Sequence, residues 1–221
     1  MNSDLLEEKT EGGNKKKFAY DLLKKRIVNN ELKPLEYLNE RSLSQDLKIS
    51  KTPIREAIQQ LENNHFIVVV PNKGCFVSNI SVEDIRAIFE IREIYECAAA
   101  RIAAERAEVN QFVELRSKKE IFDSENVDDA RKYLLTGDQI HTRIIESVNN
   151  AFLSNSYRTV LDHIIRIRVY FINRFGMQRL EATDQEHKNI VDAIVARDPD
   201  GAEKAMRLHL RNAFAYIKRL I

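Results

Sequence analysis

The stretch LNERSLSQDLKISKTPIREAI, from Leu38 to Ile58, decides the first part of the fold, because it predicts two short helices joined by a tight turn. The first helix is expected over about 40–47, with Asn39 as its N-cap. The second is expected to begin after Ser50, whose hydroxyl can cap it, and Pro53 is tolerated in its first turn. Apolar residues then recur at helical spacing, which leaves the opposite face polar and basic. The stretch therefore predicts a helix-turn-helix.

Cationic and hydroxyl side chains cluster at the start of the second helix. Lys51, Thr52 and Arg55 lie off its apolar stripe. The first residues of a recognition helix lie nearest the base edges of the major groove, where Lys or Arg donates to guanine and a Thr hydroxyl can bind phosphate. This helix predicts a module that reads DNA. The alternative is a helix-turn-helix that binds another protein, with solvated cations on its surface.

A β-hairpin is predicted directly after the second helix. Residues 65–78, HFIVVVPNKGCFVS, hold a β-branched run, a Pro-Asn-Lys-Gly turn and a second apolar run. The turn carries Lys73, a cation, and Gly74, which leaves room for close approach of the backbone to sugar-phosphate. We therefore expect a two-stranded wing beside the helix-turn-helix.

Residues 34–77, PLEYLNERSLSQDLKISKTPIREAIQQLENNHFIVVVPNKGCFV, resemble the winged helix of the GntR family of bacterial transcription regulators. The hallmarks are a proline before the first motif helix, a Glu-Arg pair, a Ser-Lys-Thr-Pro-Ile-Arg-Glu-Ala run and a wing glycine. In this chain they are Pro34, Glu40 with Arg41, residues 50–57, and Gly74. The resemblance implies that DNA is contacted by Arg41, Lys51, Thr52, Arg55 and Gly74.

Two residues depart from the pattern of the family. Lys51 stands where arginine is usual, and lysine cannot make the forked contact to guanine. Leu35 follows Pro34 in place of the usual glycine. The first departure therefore weakens the expected reading of guanine at that position.

Charge and composition suggest three parts: a flexible tail at 1–14, a winged helix-turn-helix at 15–80 and an all-helical domain at 81–221. The whole chain has a net charge of +1, but residues 15–80 hold 12 Lys and Arg against 7 Asp and Glu. Non-specific affinity for DNA should therefore fall steeply with salt. The tail has no apolar stretch long enough for a signal peptide or a membrane span, so we expect a cytoplasmic protein with no membrane partner.

From residue 81 onward the sequence predicts an antiparallel helical bundle. Its 141 residues contain only three glycines and one proline as strong breakers. The apolar periodicity predicts helices at about 82–108, 110–124, 127–149, 151–174, 179–197 and 199–219. The fold class is therefore mainly α: a winged helix-turn-helix with a small hairpin, followed by an all-α bundle.

Three histidines lie on separate predicted helices among apolar neighbours: His141, His187 and His209. With Asp138, three residues before His141, they could converge in the core of the bundle. Imidazoles with one carboxylate suit a divalent metal, zinc or nickel before manganese or iron, and leave positions open for a further ligand. The alternative is that these histidines are hydrogen-bonded structural groups.

Residues 91–105, 137–150, 186–198 and 205–210 resemble the FCD effector domain of the FadR-like branch of the same family; they read IREIYECAAARIAAE, GDQIHTRIIESVNN, EHKNIVDAIVARD and AMRLHL. The resemblance implies a metal held by an aspartate four residues before a first histidine, by that histidine and by two later ones. His141, His187 and His209 match, but Gly137 stands at the aspartate position. Asp138 either replaces that aspartate or leaves a three-histidine site. Two further histidines, His65 and His163, match no ligand position.

Arginines near the expected site could bind a small acid. Arg92 on the first helix of the bundle and Arg166 or Arg168 on the fourth can give charge-assisted hydrogen bonds to a carboxylate. The alternative is pairing within the domain, for example of Arg92 with Glu96. Asn150 matches a residue near the pocket in the family, or it simply ends a helix. The resemblance implies a small organic acid as effector, such as a sugar acid, a hydroxy acid or a dicarboxylate.

The predicted function is sequence-specific regulation of transcription, with repression as the default, and not an enzyme activity. A homodimer is expected to bind a short inverted repeat in double-stranded DNA, because two-fold protein symmetry requires two-fold half-sites. The acid would then change the affinity for the operator. The alternatives are a metal-responsive regulator, a purely structural metal, or a metal-dependent enzyme. For an enzyme, the only candidate base is Glu186, which should point about 100 degrees away from its neighbour His187.

Overall fold

A computed structural model of the chain describes residues 12–117, 139–171 and 177–221. The chain divides into two compact units, Met1–Ile80 and Ser81–Ile221. The described residues are mostly helical, with one small antiparallel sheet in the first unit, as the sequence predicts. None of the helices in these ranges is both long and apolar enough to cross a membrane.

The first unit is a winged helix-turn-helix. Its helix α1 begins at Gly12, so it takes in the last three residues of the predicted tail. The sheet has the order β1-β3-β2, and the predicted two-stranded wing therefore gains a third strand. The elements are α1 (Gly12–Val28), β1 (Tyr37–Leu38), α2 (Glu40–Leu47), α3 (Lys51–Asn63), β2 (Ile67–Val70) and β3 (Gly74–Val77).

Local capping and one apolar stripe fix the two motif helices. The Asn39 side chain accepts hydrogen bonds from two amides in the first turn of α2, at 2.9 and 3.1 Å. The stripe of α3 is fully or almost fully buried, which includes Ile54, Ile58 and Leu61. Ser50 occupies the N-cap position of α3, but its side chain makes no capping hydrogen bond. The expected hydroxyl cap is therefore wrong, although Ser50 has the extended backbone of an N-cap residue.

The second unit consists, in its described residues, of helices without strands. Helix α4 begins with the reciprocal capping box of Ser81 and Asp84, and Asp198 caps the last helix by accepting from the amide of Gly201 at 2.9 Å. Residues 118–138 and 172–176 lie outside the described residues. The predicted helix ends at residues 124 and 174 and the predicted helix start at residue 127 fall in those ranges. The helices are α4 (Val82–Arg106), α5 (Asn110–Ser117), α6 (139–147), α7 (Ala151–Phe171), α8 (Met177–Val195) and α9 (Pro199–Lys218).

The core of the second unit is built around α4, α8 and α9, which pack closely against one another. Four fully buried alanines of α4 bring the neighbouring backbones near: Ala99, Ala100, Ala103 and Ala104. Polar side chains are rare in such an interior unless they are paired or bind a ligand. Seven buried polar residues are nevertheless found among the described residues: Arg92, Glu96, His141, Ser147, Arg166, His187 and His209.

Candidate metal centre and nucleic-acid interface

Helices α6, α8 and α9 each contribute one histidine to a single buried cluster. His141, His187 and His209 are 0%, 5% and 1% exposed. One ring nitrogen of each lies within 4.8 Å of the others, and the ring centroids are 4.6 to 5.2 Å apart. The structure therefore brings together the three histidines that the sequence singles out.

The Nε2 atoms of all three imidazoles are buried without a hydrogen-bond partner. A single unsatisfied buried polar group costs about 1–3 kcal/mol, so three in one place need an explanation. A divalent cation explains them, because it accepts three imidazole lone pairs and leaves further coordination positions open. The donor set thus fits a metal ion of the zinc or nickel type.

Glu96 holds the first histidine from the outer side. Its Oε2 lies 2.6 Å from Nδ1 of His141, although the angle departs from that of a well-formed hydrogen bond. Its Oε1 accepts from Nε of Arg92 at 2.7 Å and from the Tyr157 hydroxyl at 2.8 Å. Burial would raise the pKa of Glu96, but Arg92 and His141 outweigh it and hold that pKa well below its usual range. The ionised carboxylate favours a proton on Nδ1 of His141, which leaves the Nε2 lone pair for a metal.

Glu186 holds the third histidine in the same way. Its Oε2 lies 2.8 Å from Nδ1 of His209, and its carboxylate also accepts from Arg179 at 2.9 and 3.0 Å and from Asn212 at 2.8 Å. Burial opposes ionisation, but these hydrogen bonds lower the pKa of Glu186 to about 2. The sequence predicts that Glu186 points away from the site of its neighbour His187, but its carboxylate reaches His209 of the same cluster. It did not predict that Glu186 meets helix α9.

The electrostatics of the cluster keep His187 and His209 neutral near pH 7. Burial lowers the pKa of His209 to about 3, although Glu186 acts in the opposite direction. Burial also holds the pKa of His187 well below its usual value, and the neighbouring histidines add to that effect. Neutral imidazole is the form that binds a metal, so no proton must be displaced from these two histidines at physiological pH.

Of three residues predicted for the effector site, two are buried and one is exposed. Arg92 is buried and pairs with Glu96, which is the alternative that the sequence left open. Arg166 is also buried, and burial lowers its pKa to about 10. Asn150 is exposed, and its side-chain oxygen accepts from two amides at the start of α7, at 3.0 and 3.2 Å. Asp138, with its neighbour Gly137, lies outside the described residues.

Two contacts of the site were missed by sequence reasoning, those of the Glu96 and Glu186 carboxylates with the histidines. For Glu96 a signal existed, since it follows Arg92 by one helical turn and a buried arginine needs an acid. For Glu186 the signal was weaker, because its partner lies 23 residues further along the chain. Both contacts depend on how the helices are rotated against each other.

The predicted DNA-contacting side chains lie on the surface of the first unit. These exposed residues are Arg41, Lys51, Thr52, Arg55 and Lys73. Gly74 is half-buried with a φ of +108°, and an added Cβ would lie 2.6 Å from Cε2 of Tyr37. Glycine is therefore required there by the fold of the wing itself, in addition to any close approach of DNA.

Comparison with known proteins identifies both units. The family model for bacterial regulatory proteins of the gntR family matches residues 15–77, and that for the FCD domain matches residues 87–212. The Nta operon transcriptional regulator of Aminobacter aminovorans is 25% identical over 194 residues, which cover 88% of this chain and 90% of that protein. The transcriptional repressor RspR of Escherichia coli is 25% identical over 205 residues, or 91% and 88% of the two chains.

A solved structure shows the same fold. Escherichia coli McbR/YncC superposes with a TM-score of 0.71 at 18% identity, over 93% of this chain and 98% of the other. The matching families and relatives are transcription regulators and not enzymes, which removes the enzyme alternative. The chain therefore belongs to the GntR family of bacterial transcription regulators, with a winged helix-turn-helix followed by an FCD domain.

Proposed function

We propose that this regulator is a cytoplasmic, dimeric repressor whose affinity for its operator is controlled by a small carboxylate bound beside a metal ion in the helical unit. The convergence of three buried, unpartnered Nε2 atoms carries the proposal. His141, His187 and His209 would hold the metal, zinc or nickel by preference, and Asp138 is a candidate fourth ligand. The metal would supply open coordination positions for a carboxylate oxygen.

Buried guanidinium groups support an anionic effector. Arg92 and Arg166 bring guanidinium groups into the interior of the helical unit, and a pKa of about 10 keeps Arg166 charged near neutral pH. Glu96 accepts from Nε and one terminal nitrogen of Arg92, at 2.7 and 3.3 Å. Charge-assisted hydrogen bonds from these groups would orient a carboxylate. Asn150 remains a proposed contact of the acid, although it also caps α7.

The DNA contacts are proposed on the geometry of the first unit. Helix α3 presents Lys51, Thr52 and Arg55 at its exposed N-terminal half, which is the part of a recognition helix that meets base edges. Arg41 on α2 and the wing residues Lys73 and Gly74 would bind the phosphate backbone. A typical coupling of ~1–3 kcal/mol between acid and operator would change the DNA affinity roughly 5- to 150-fold.

An exposed apolar stripe on α4 supports the dimer. Ala87, Ile91, Ile94 and Ala98 recur at spacings of four, three and four, and Ile94 is 63% exposed. Leu208, on the neighbouring helix α9, is also exposed. A stripe with this spacing suits packing against a second copy of the same helix. Sedimentation equilibrium should therefore show a dimer that Ile94→Arg weakens; a monomeric wild type would contradict the proposal.

The test begins with selection of random DNA duplexes by the purified, metal-loaded protein. Enrichment of an inverted repeat by the wild type, and not by Arg55→Ala, would support the proposed operator binding. Metal content measured by plasma emission should approach one ion per chain and fall in His187→Ala. Unchanged metal content in that variant would contradict the proposed site.

Titration of the selected operator then separates the alternatives. If a small acid is the signal, it changes the operator affinity of the metal-loaded protein and not of the chelated protein. If the metal itself were the signal, chelation alone would change the affinity. If the metal were purely structural, chelation would lower the melting temperature while acids left the affinity unchanged.

A further inference from the structure

An ion pair links the two helices of the helix-turn-helix. Nε of Arg55 on α3 donates to Oε2 of Glu40, the first residue of α2, at 2.7 Å. The Arg55 side chain is 66% exposed and the Glu40 side chain 31%. A surface pair of this kind adds little to stability. Its place, on an arginine of the proposed recognition surface, suggests a different use.

The contact uses only one edge of the guanidinium. An arginine has five N–H donors, and Glu40 takes the one on Nε. The two terminal nitrogens remain, and they form the fork that binds O6 and N7 of guanine. Without a partner, an exposed arginine samples many rotamers, and ordering them on binding costs free energy. A contact through Nε alone therefore restrains Arg55 and leaves its two terminal nitrogens for a base.

The carboxylate has a second effect, on charge. Glu40 offsets the positive charge of Arg55 at the surface that meets phosphates, and so weakens attraction that does not depend on sequence. The same contact therefore favours base reading and disfavours non-specific binding. Specificity is the ratio of these two affinities, so both effects raise it.

We propose that Glu40 is a positioning residue that sets DNA specificity through Arg55. This inference rests on the proposed DNA-binding function, and it concerns a residue that need not touch a base. Loss of the Glu40 carboxylate should change the two affinities in different directions. Affinity for random duplex should rise, while the ratio of operator to random affinity should fall about three- to fivefold, the scale of one surface ion pair.

The experiment compares wild type, Glu40→Gln and Asp46→Asn by selection of random duplexes and then by binding at one salt concentration. Asp46→Asn is the matched control, since it removes the same charge from an exposed position six residues along the same helix. Both variants should bind random duplex more tightly, but only Glu40→Gln should lose selectivity at the base pairs read by Arg55. In an Arg55→Ala background, Glu40→Gln should reduce selectivity no further.

Other outcomes would overturn either this inference or the proposed operator binding on which it rests. An unchanged or higher selectivity in Glu40→Gln would overturn the inference, and a rise would make Glu40 a competitor of DNA for Arg55. A merely structural role in the first turn of α2 would weaken binding to every duplex and lower the melting temperature, which would also overturn it. If the wild type itself enriched no sequence, the proposed operator binding would fail, and this inference with it.

Discussion

Leucine is similar in size to histidine but apolar. Replacement of His187 by leucine should therefore separate two effects of the buried imidazole, its contribution to metal binding and the cost of its unpartnered nitrogen. In the wild type, a metal ion at one hundred times its dissociation constant would stabilise the folded state by about 2.7 kcal/mol. For a chain of this length, that corresponds to a rise in melting temperature of roughly 5–11 °C. His187→Leu keeps two of the three imidazoles and should lose most of this rise.

Without metal, the same substitution should not destabilise the protein. Nε2 of His187 is buried without a hydrogen-bond partner, and such a group costs about 1–3 kcal/mol. Leucine removes that cost, which offsets the imperfect packing of the new side chain. The chelated variant should therefore melt no lower than the chelated wild type.

Scanning calorimetry with a chelator, and with zinc or nickel, measures both effects. His163→Leu is the matched control, because His163 is half-buried on α7 and does not belong to the cluster of three. This control should keep the metal-induced rise. A wild-type rise in His187→Leu would refute the assignment of the ligand. A chelated His187→Leu that melts well below the chelated wild type would refute the reasoning about the unsatisfied nitrogen.

Three further predictions concern the outer contacts, the pH and the wing. Glu186→Gln should weaken metal binding about 10- to 100-fold, measured by competition with a chromophoric chelator, because the carboxylate that orients His209 is lost; unchanged affinity would exclude this role. Urea unfolding of the chelated protein should show stability falling as the pH drops from about 6.5 to 3, because unfolded imidazoles bind protons that buried His187 and His209 do not; a stability that rises over that range would contradict it. Gly74→Ala should destabilise the first unit by about 1–3 kcal/mol, measured by thermal melting, because φ is +108° and the new Cβ meets a tyrosine ring; a neutral result would contradict it.

Local patterns predicted most of the fold. The stripe of Ile54, Ile58 and Leu61 defined α3 because helical periodicity alone decides which face is buried. Capping by Asn39 was predictable for the same reason, since a cap involves neighbours in sequence. Strand β1 was not predicted, because its two residues are extended only through pairing with β3, nearly 40 residues away. The missing side-chain cap at Ser50 likewise depends on a rotamer that the sequence does not specify.

Of the candidate site, only the three histidines were predictable from the sequence. Amphipathic helices place His141, His187 and His209 on apolar faces, and the family resemblance adds the expectation that they meet. The carboxylates of Glu96 and Glu186 were missed because each contacts a histidine on another helix. Such contacts follow from the packing angle between helices, which no local pattern encodes.

The measurement that tests the account most directly is the dissociation constant of the selected operator, titrated with a panel of sugar acids, hydroxy acids and dicarboxylates. It should be made on metal-loaded wild type and on His187→Leu in parallel, at one salt concentration. We expect at least one acid to lower the operator affinity of the wild type roughly 5- to 150-fold and to leave that of the variant unchanged. An acid response that persists in His187→Leu, or operator binding that no acid in the panel alters, would contradict it.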